Sequence, residues 1–117
     1  MTDKLLESII EGIKDKKGEN ISILDLRGID GSLCDYFVIC DANNTTQTEA
    51  IADSIWDRVH DDLGEKPIHD EGRQNGVWIL LDYHDVIIHI FHRPTRHFYS
   101  IETLWNDAVR TDIENED

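Results

Sequence analysis

Positive charge is what this sequence has least of: eleven Lys and Arg stand against 25 Asp and Glu, a net charge of −14. Nucleic-acid binding rests on cations that neutralise phosphates and release counterions. No direct, specific RNA or DNA contact is therefore expected. The same acidity suits encounter with a basic protein surface, although it also serves solubility alone. Cysteine is nearly absent. Cys34 and Cys40 flank one apolar segment and form no disulfide framework, which fits a reducing cytoplasm. No apolar run approaches the roughly 20 residues that a membrane helix needs. The opening Met1-Thr2-Asp3-Lys4 has no basic region or cleavage site of a signal peptide. Repeats, low-complexity segments and an interdomain linker are also missing. A cytoplasmic location without a membrane partner is expected.

What is present is enough for one domain. A chain of 117 residues buries roughly two-thirds of its unfolded surface, so it needs neither a metal nor a disulfide staple. The densest signal is the run Trp78–Phe91, two apolar blocks around a polar break, which reads as a hairpin covered on both faces. Leu5, Leu6, Ile9, Ile10 and Ile13 recur at helical spacing over residues 2–17, with Lys14, Lys16 and Lys17 in the last turn and Gly18 as the stop. Strands are expected over 20–26 and 35–41. A helix is expected to follow, with Thr46 and Glu49 as a capping box and Ile51, Ile55 and Val59 as its apolar line. Asp53, Asp57 and Asp61 make a solvated acidic stripe on another of its faces. A short strand spans 66–71, and a last helix after Pro94 buries Phe98, Ile101, Leu104, Trp105 and Ala108. The order predicts a single α/β domain over 1–110, a mixed sheet flanked by helices, with an acidic, frayed tail over 111–117.

Catalytic constellations are incomplete. Gly31-Ser32 before Asp35 has the outline of a nucleotidyl-transfer site, but that chemistry needs two carboxylates on one side of a strand. Phe37 stands where the second would be, and Asp41 lies at the far end. His84, His89, His92 and His97 cluster only in sequence; His89 and His92 point to opposite strand faces. His89, between two isoleucines, reads as a half-buried histidine bonded to a neighbouring backbone group or carboxylate. No metal site and no cofactor are expected. Cys40 reads as an inert small hydrophobe. Strand alternation puts Trp78, Leu80 and Asp82 on one face and Ile79, Leu81 and Tyr83 on the other. Trp78 serves equally as a core residue or as an interface anchor. Asp82 and Asp85 bracket the turn, where they suit a cationic partner or simple turn chemistry.

Asp35-Tyr36-Phe37-Val38-Ile39-Cys40, Gln47, Ala50-Ile51-Ala52-Asp53, Glu71-Gly72, Trp78 through Tyr83, Asp85, His89-Ile90-Phe91, Arg96, Phe98-Tyr99, Glu102, Leu104-Trp105 and Asp107-Ala108 together resemble the ribosomal silencing factor, or Iojap-like, family. The resemblance covers roughly residues 4 to 108. It implies a nucleotidyltransferase-like α/β fold without transferase activity. It also implies binding to the large ribosomal subunit through that subunit's ribosomal protein fourteen, and repression of translation by blocking subunit joining when nutrients are short. Homodimers of the free protein and a role in large-subunit assembly go with the family as well; a metal-dependent nucleotidyltransferase is the enzymatic alternative. The partner-facing positions implied are Trp78, Asp82, Tyr83 and Asp85, with His89 and Glu71 beside them. The sequence departs from the family pattern at His84, where the hairpin turn usually has Gly, and at Asp41-Ala42, where Thr-Gly is common.

Overall fold

The computed structural model describes residues 2–115. The first helix, α1 (Thr2–Asp15), carries Leu5, Ile9 and Ile13 on its buried stripe. Its end differs from expectation by one residue. The left-handed position is Lys17 (φ 60°) rather than Gly18. The Lys17 N–H donates to Lys14 O and the Gly18 N–H to Ile13 O, both at 3.0 Å, a paired closure of the helix terminus. Gly18 is needed for space, because a Cβ there would lie 2.4 Å from Ile13 Cγ2.

Strands β1 (Glu19–Asp25) and β2 (Tyr36–Ala42) follow, then α2 (Thr45–Leu63). The cap of α2 is Asn44, whose side chain accepts from the Gln47 amide at 2.8 Å. The expected Thr46–Glu49 box does not form because the helix has already begun at Thr45. Gly64, at φ 68°, closes it as expected. The chain then forms β3 (His69–Glu71), shorter than expected, and the hairpin β4 (Trp78–Asp82) and β5 (Val86–His92). One sheet has the order β3-β4-β5-β2-β1-β6; β2 and β5 run parallel and every other pair is antiparallel.

Two expectations fail at the C-terminal end. The single last helix is two, α3 (Arg93–Tyr99) and α4 (Ile101–Leu104), broken at Ser100 with φ 44°. The break rotates the apolar stripe, so Ile101 is buried while Phe98 is 80% and Leu104 76% exposed. The segment expected to fray from residue 111 instead contributes to β6 (Val109–Ile113), paired antiparallel with β1. Three contacts hold it there: Ser22 Oγ donates to Asp112 at 2.7 Å, the Asn20 amide donates to Asn115 at 2.7 Å, and Ile113 packs on the core. The rest of that expected tail, residues 116–117, lies outside the described residues.

The sheet divides the interior. On one face α1 and α2 enclose Val38, Cys40, Ile79, Leu81, Ile88 and Ile90. On the other, α3 and α4 cover Leu24, Phe37, Ile39 and Phe91, with Trp78, Ile87 and Trp105 only partly buried against them.

Candidate functional site: the open face of the sheet

Residues directly opposite in a sheet share a face. The registers Glu71↔Leu80, Trp78↔Phe91, Leu80↔His89 and Asp82↔Ile87 therefore place all seven residues on one side of β3, β4 and β5. α3 and α4 cover the β2 and β1 end of that side. Its β4 edge is left half open, with Trp78, Leu80, Asp82 and Ile87 partly exposed and Glu71 exposed. Trp78 lies between Phe91, 4.9 Å away, and Tyr99, 4.8 Å away, and Phe98 continues the row 5.0 Å from Tyr99. Tyr99 is 50% exposed. The result is an apolar, largely aromatic surface edged by the carboxylates of Glu71 and Asp82.

This surface gathers four of the six positions singled out from sequence: Trp78, Asp82, His89 and Glu71. His89 is on the correct face but beneath it, 5% exposed, and accepts a hydrogen bond from the Trp78 indole at 3.1 Å. Its bonded neighbour is thus an indole rather than a backbone group or carboxylate. Tyr83 is on the opposite face, buried, with its hydroxyl unpartnered among the described residues. Burial raises its pKa. The reason is alternation: one residue beyond Asp82, its side chain turns to the other face. Asp85 lies in the turn with an exposed side chain, and its carbonyl accepts from the Asp35 and Tyr36 amides at 2.9 and 3.1 Å. Asp82 also accepts from the His84 amide at 2.7 Å, so it shapes the turn as well as edging the surface.

Gly72 sets where Trp78 begins. It has φ 87°, and a Cβ there would lie 2.0 Å from the Trp78 carbonyl oxygen. Only glycine allows the preceding loop to pass this close to the first residue of β4.

Sequence reasoning missed Phe98 and Tyr99 as exposed residues. The helical spacing of Phe98 from Ile101 implied a buried stripe, Tyr99 was given no place on the surface, and nothing in the local sequence marks the break at Ser100. It also missed the charge network beneath α3. Asp41 is 1% exposed and accepts from Arg93 Nε at 2.9 Å, Arg96 Nη1 at 3.1 Å and Asn20 Nδ2 at 2.9 Å. Arg96, 6% exposed, also reaches Glu102 at 3.2 Å and Ser22 at 3.1 Å. These pairs fasten α3 to β1 and β2.

The same network bears on catalysis. Both oxygens of Asp41 are taken by cations and an amide, and Phe37 is packed against His89, 4.6 Å between ring centroids, and Trp105, 5.7 Å. Strand β2 therefore presents no free carboxylate pair. Among the described residues no group of three or more His, Cys, Asp or Glu is placed to hold a metal ion. Cys34 and Cys40 are buried and unbonded to each other. Burial pushes the Cys34 thiol up to about 11 and that of Cys40 higher still, so neither is a ready nucleophile.

Fold and surface together define a single mixed-sheet α/β domain whose most distinctive surface is an open, aromatic sheet face rather than a cleft. A family model described as ribosomal silencing factor during starvation matches residues 1–117. Ribosomal silencing factor RsfS of Bacillus subtilis is 40% identical over 100 residues, covering 86% of this chain and 83% of that protein. Protein Iojap, chloroplastic, of Arabidopsis thaliana is 33% identical over 82 residues, covering 70% of this chain and 34% of that protein. A crystal structure of a Chromobacterium violaceum protein superposes with a TM-score of 0.84 at 29% identity, covering 89% of this chain and 85% of that one. A second, from Bacillus halodurans, gives 0.78 at 34% identity, covering 96% and 98%. The chain belongs to the ribosomal silencing factor family.

Proposed function

We propose that this protein represses translation by occupying a surface of the large ribosomal subunit, through that subunit's ribosomal protein fourteen, and so blocking the small subunit from joining. It acts in the cytoplasm, without catalysis, and most when nutrients are short. Family membership supports the general role. The observation that carries the contact is the open face itself, where a partly exposed tryptophan adjoins exposed aromatics and is edged by carboxylates. Tryptophan and tyrosine anchor interfaces because they remove large apolar areas from water at low entropic cost. The carboxylates and the net charge of −14 direct the protein to a basic protein patch and away from bare RNA. No helix among the described residues is long and apolar enough to cross a membrane.

The test is co-sedimentation with separated ribosomal subunits, followed by a subunit-joining assay. The protein is expected to pellet with large subunits alone and to prevent joining. Trp78→Ala combined with Asp82→Lys is expected to abolish both while the circular dichroism spectrum is retained. Undiminished binding by the folded double variant would move the contact to another face.

A further inference from the structure

Beneath Trp78 lies a histidine whose presence packing does not explain. The Trp78 Nε1–H donates to His89 Nδ1 at 3.1 Å. An imidazole nitrogen accepts only without a proton, so His89 is neutral and carries its proton on Nε2. Burial favours that neutral state, pushing its pKa down to about 4. Yet Nε2 is itself buried and has no hydrogen-bond acceptor among the described residues. The ring is enclosed by Phe37, Phe91 and Trp78. A phenylalanine or leucine at this position would fill an apolar cage without orphaning an N–H. What histidine supplies, and they do not, is an acceptor under the indole.

The indole needs one. Phe91 and Tyr99 flank it at 4.9 and 4.8 Å and hold it by ring contact, which offers its N–H no acceptor. The hydrogen bond to His89 is the polar contact that fixes the N–H edge inward. We infer that His89 is a positioning residue, which turns the indole nitrogen inward so that Trp78 presents its hydrocarbon edge on the open face. The inference rests on that face being the docking surface. It adds a statement about the partner: with the N–H already engaged, Trp78 enters an apolar pocket rather than meeting a hydrogen-bond acceptor. His89 thus acts through Trp78 and not by touching the partner.

The experiment has an arm that involves no ribosome. In ¹⁵N-labelled protein at pH 7, the ring nitrogens of His89 are expected to report a neutral Nε2–H tautomer with Nδ1 hydrogen-bonded. A charged ring or an Nδ1–H tautomer would overturn the inference, even if no variant folds. The Trp78 indole N–H, assigned by its loss in Trp78→Phe, is expected to exchange with solvent about ten-fold faster in His89→Phe, as removal of one hydrogen bond implies. His89→Asn, which restores an acceptor near the place of Nδ1, should return most of the protection. Unchanged exchange in His89→Phe would also overturn the inference.

In the second arm, His89→Phe is expected to bind large subunits about ten-fold more weakly, with His89→Asn recovering most of the loss. Equal affinity of wild type and His89→Phe, with the indole shown to be freed, refutes the positioning role. If Trp78→Ala also binds undiminished, the docking-face reading fails instead, while the tautomer and exchange results still decide whether the hydrogen bond exists.

Discussion

The two faces of the sheet are built from the same strands and differ in how they are closed. On one, α1 and α2 lay two long apolar stripes over Ile79, Leu81, Ile88 and Ile90, and these four have no exposed surface. On the other, the cover is α3 and α4, seven and four residues long and broken at Ser100. It is fastened by Arg93 and Arg96 to a buried carboxylate at one end of the sheet. The far end of that face stays open at Trp78, Leu80 and Ile87. A helix of about four turns or more seals a sheet by area; a short segment must be fixed by specific polar contacts and covers only what those contacts reach. The open region is therefore a consequence of the short lid, and it is where aromatic residues gather.

Truncating one side chain on each face should separate the two most. Ile55 of α2 has no exposed surface and sits in the sealed core. Ile55→Ala should lower unfolding free energy by about 4 kcal/mol, because packed neighbours leave a cavity. Ile87→Ala on the open face should lower it by only about 1 kcal/mol, since part of that side chain is already in water. Urea unfolding of both variants checks the contrast. Equal losses would show that the lid closes over Ile87 in solution.

Acid should next separate the two faces. The His89 pKa is lowered from 6.5 to about 4 by burial. Between those values the unfolded chain binds a proton that the folded one does not, so stability falls as pH falls through that window and is fully retained above it. The loss attributable to His89 approaches about 3 kcal/mol by pH 4. Urea unfolding of wild type and His89→Phe at pH 7 and pH 4.5 isolates it: wild type should lose more. The same loss in both would mean that His89 is not buried in the dominant state. At pH 6.5 to 8 the histidine stays neutral and its bond to Trp78 is unaffected.

How much of this was legible in the sequence depended on the range of the interactions involved. The hairpin, its facial alternation and the apolar stripes of α1 and α2 follow from periodicity, which is local, and the structure has them; the expected cover on both faces of the hairpin fails, because the short α3–α4 lid leaves Trp78, Leu80 and Ile87 partly exposed. The partners of individual polar groups were not, because they join distant segments: Asp41 with Arg96, Ser22 with Asp112, Asn20 with Asn115. The strand β6 was missed for that reason. Val109-Arg110-Thr111-Asp112-Ile113 carries little apolar surface of its own, and it is ordered by the free edge of β1 and by polar cross-strand pairs. Of the candidate site, strand alternation alone put Trp78 and Asp82 on one face; Glu71 entered through the resemblance, and the β3–β4 register is what sets it beside them. Tyr83 was grouped with them through the resemblance, although alternation already put it on the other face. The depth of His89 and the exposure of Phe98 required the lid, whose break at Ser100 no propensity announces.

The hairpin turn separates the two faces at its tip, and it offers the smallest effect, with a sign set by two opposed contributions. His84 has φ 76°, a left-handed conformation that costs a residue with a Cβ about 1–2 kcal/mol. The turn is closed on both sides of it, by the Asp85 amide to Tyr83 O at 3.0 Å and the Tyr83 amide to Val86 O at 2.9 Å, so the strain is imposed and not relaxed away. Glycine would remove it, but would also make the unfolded chain more flexible, at a cost of about 0.4–1 kcal/mol. The relief of strain outweighs that cost. His84→Gly should therefore raise stability by about 0.5 kcal/mol, a rise of about 2 °C in the unfolding midpoint. A fall instead would mean that the imidazole makes compensating contacts across the tip, and that the turn ties the sealed and open faces together more firmly than its backbone alone.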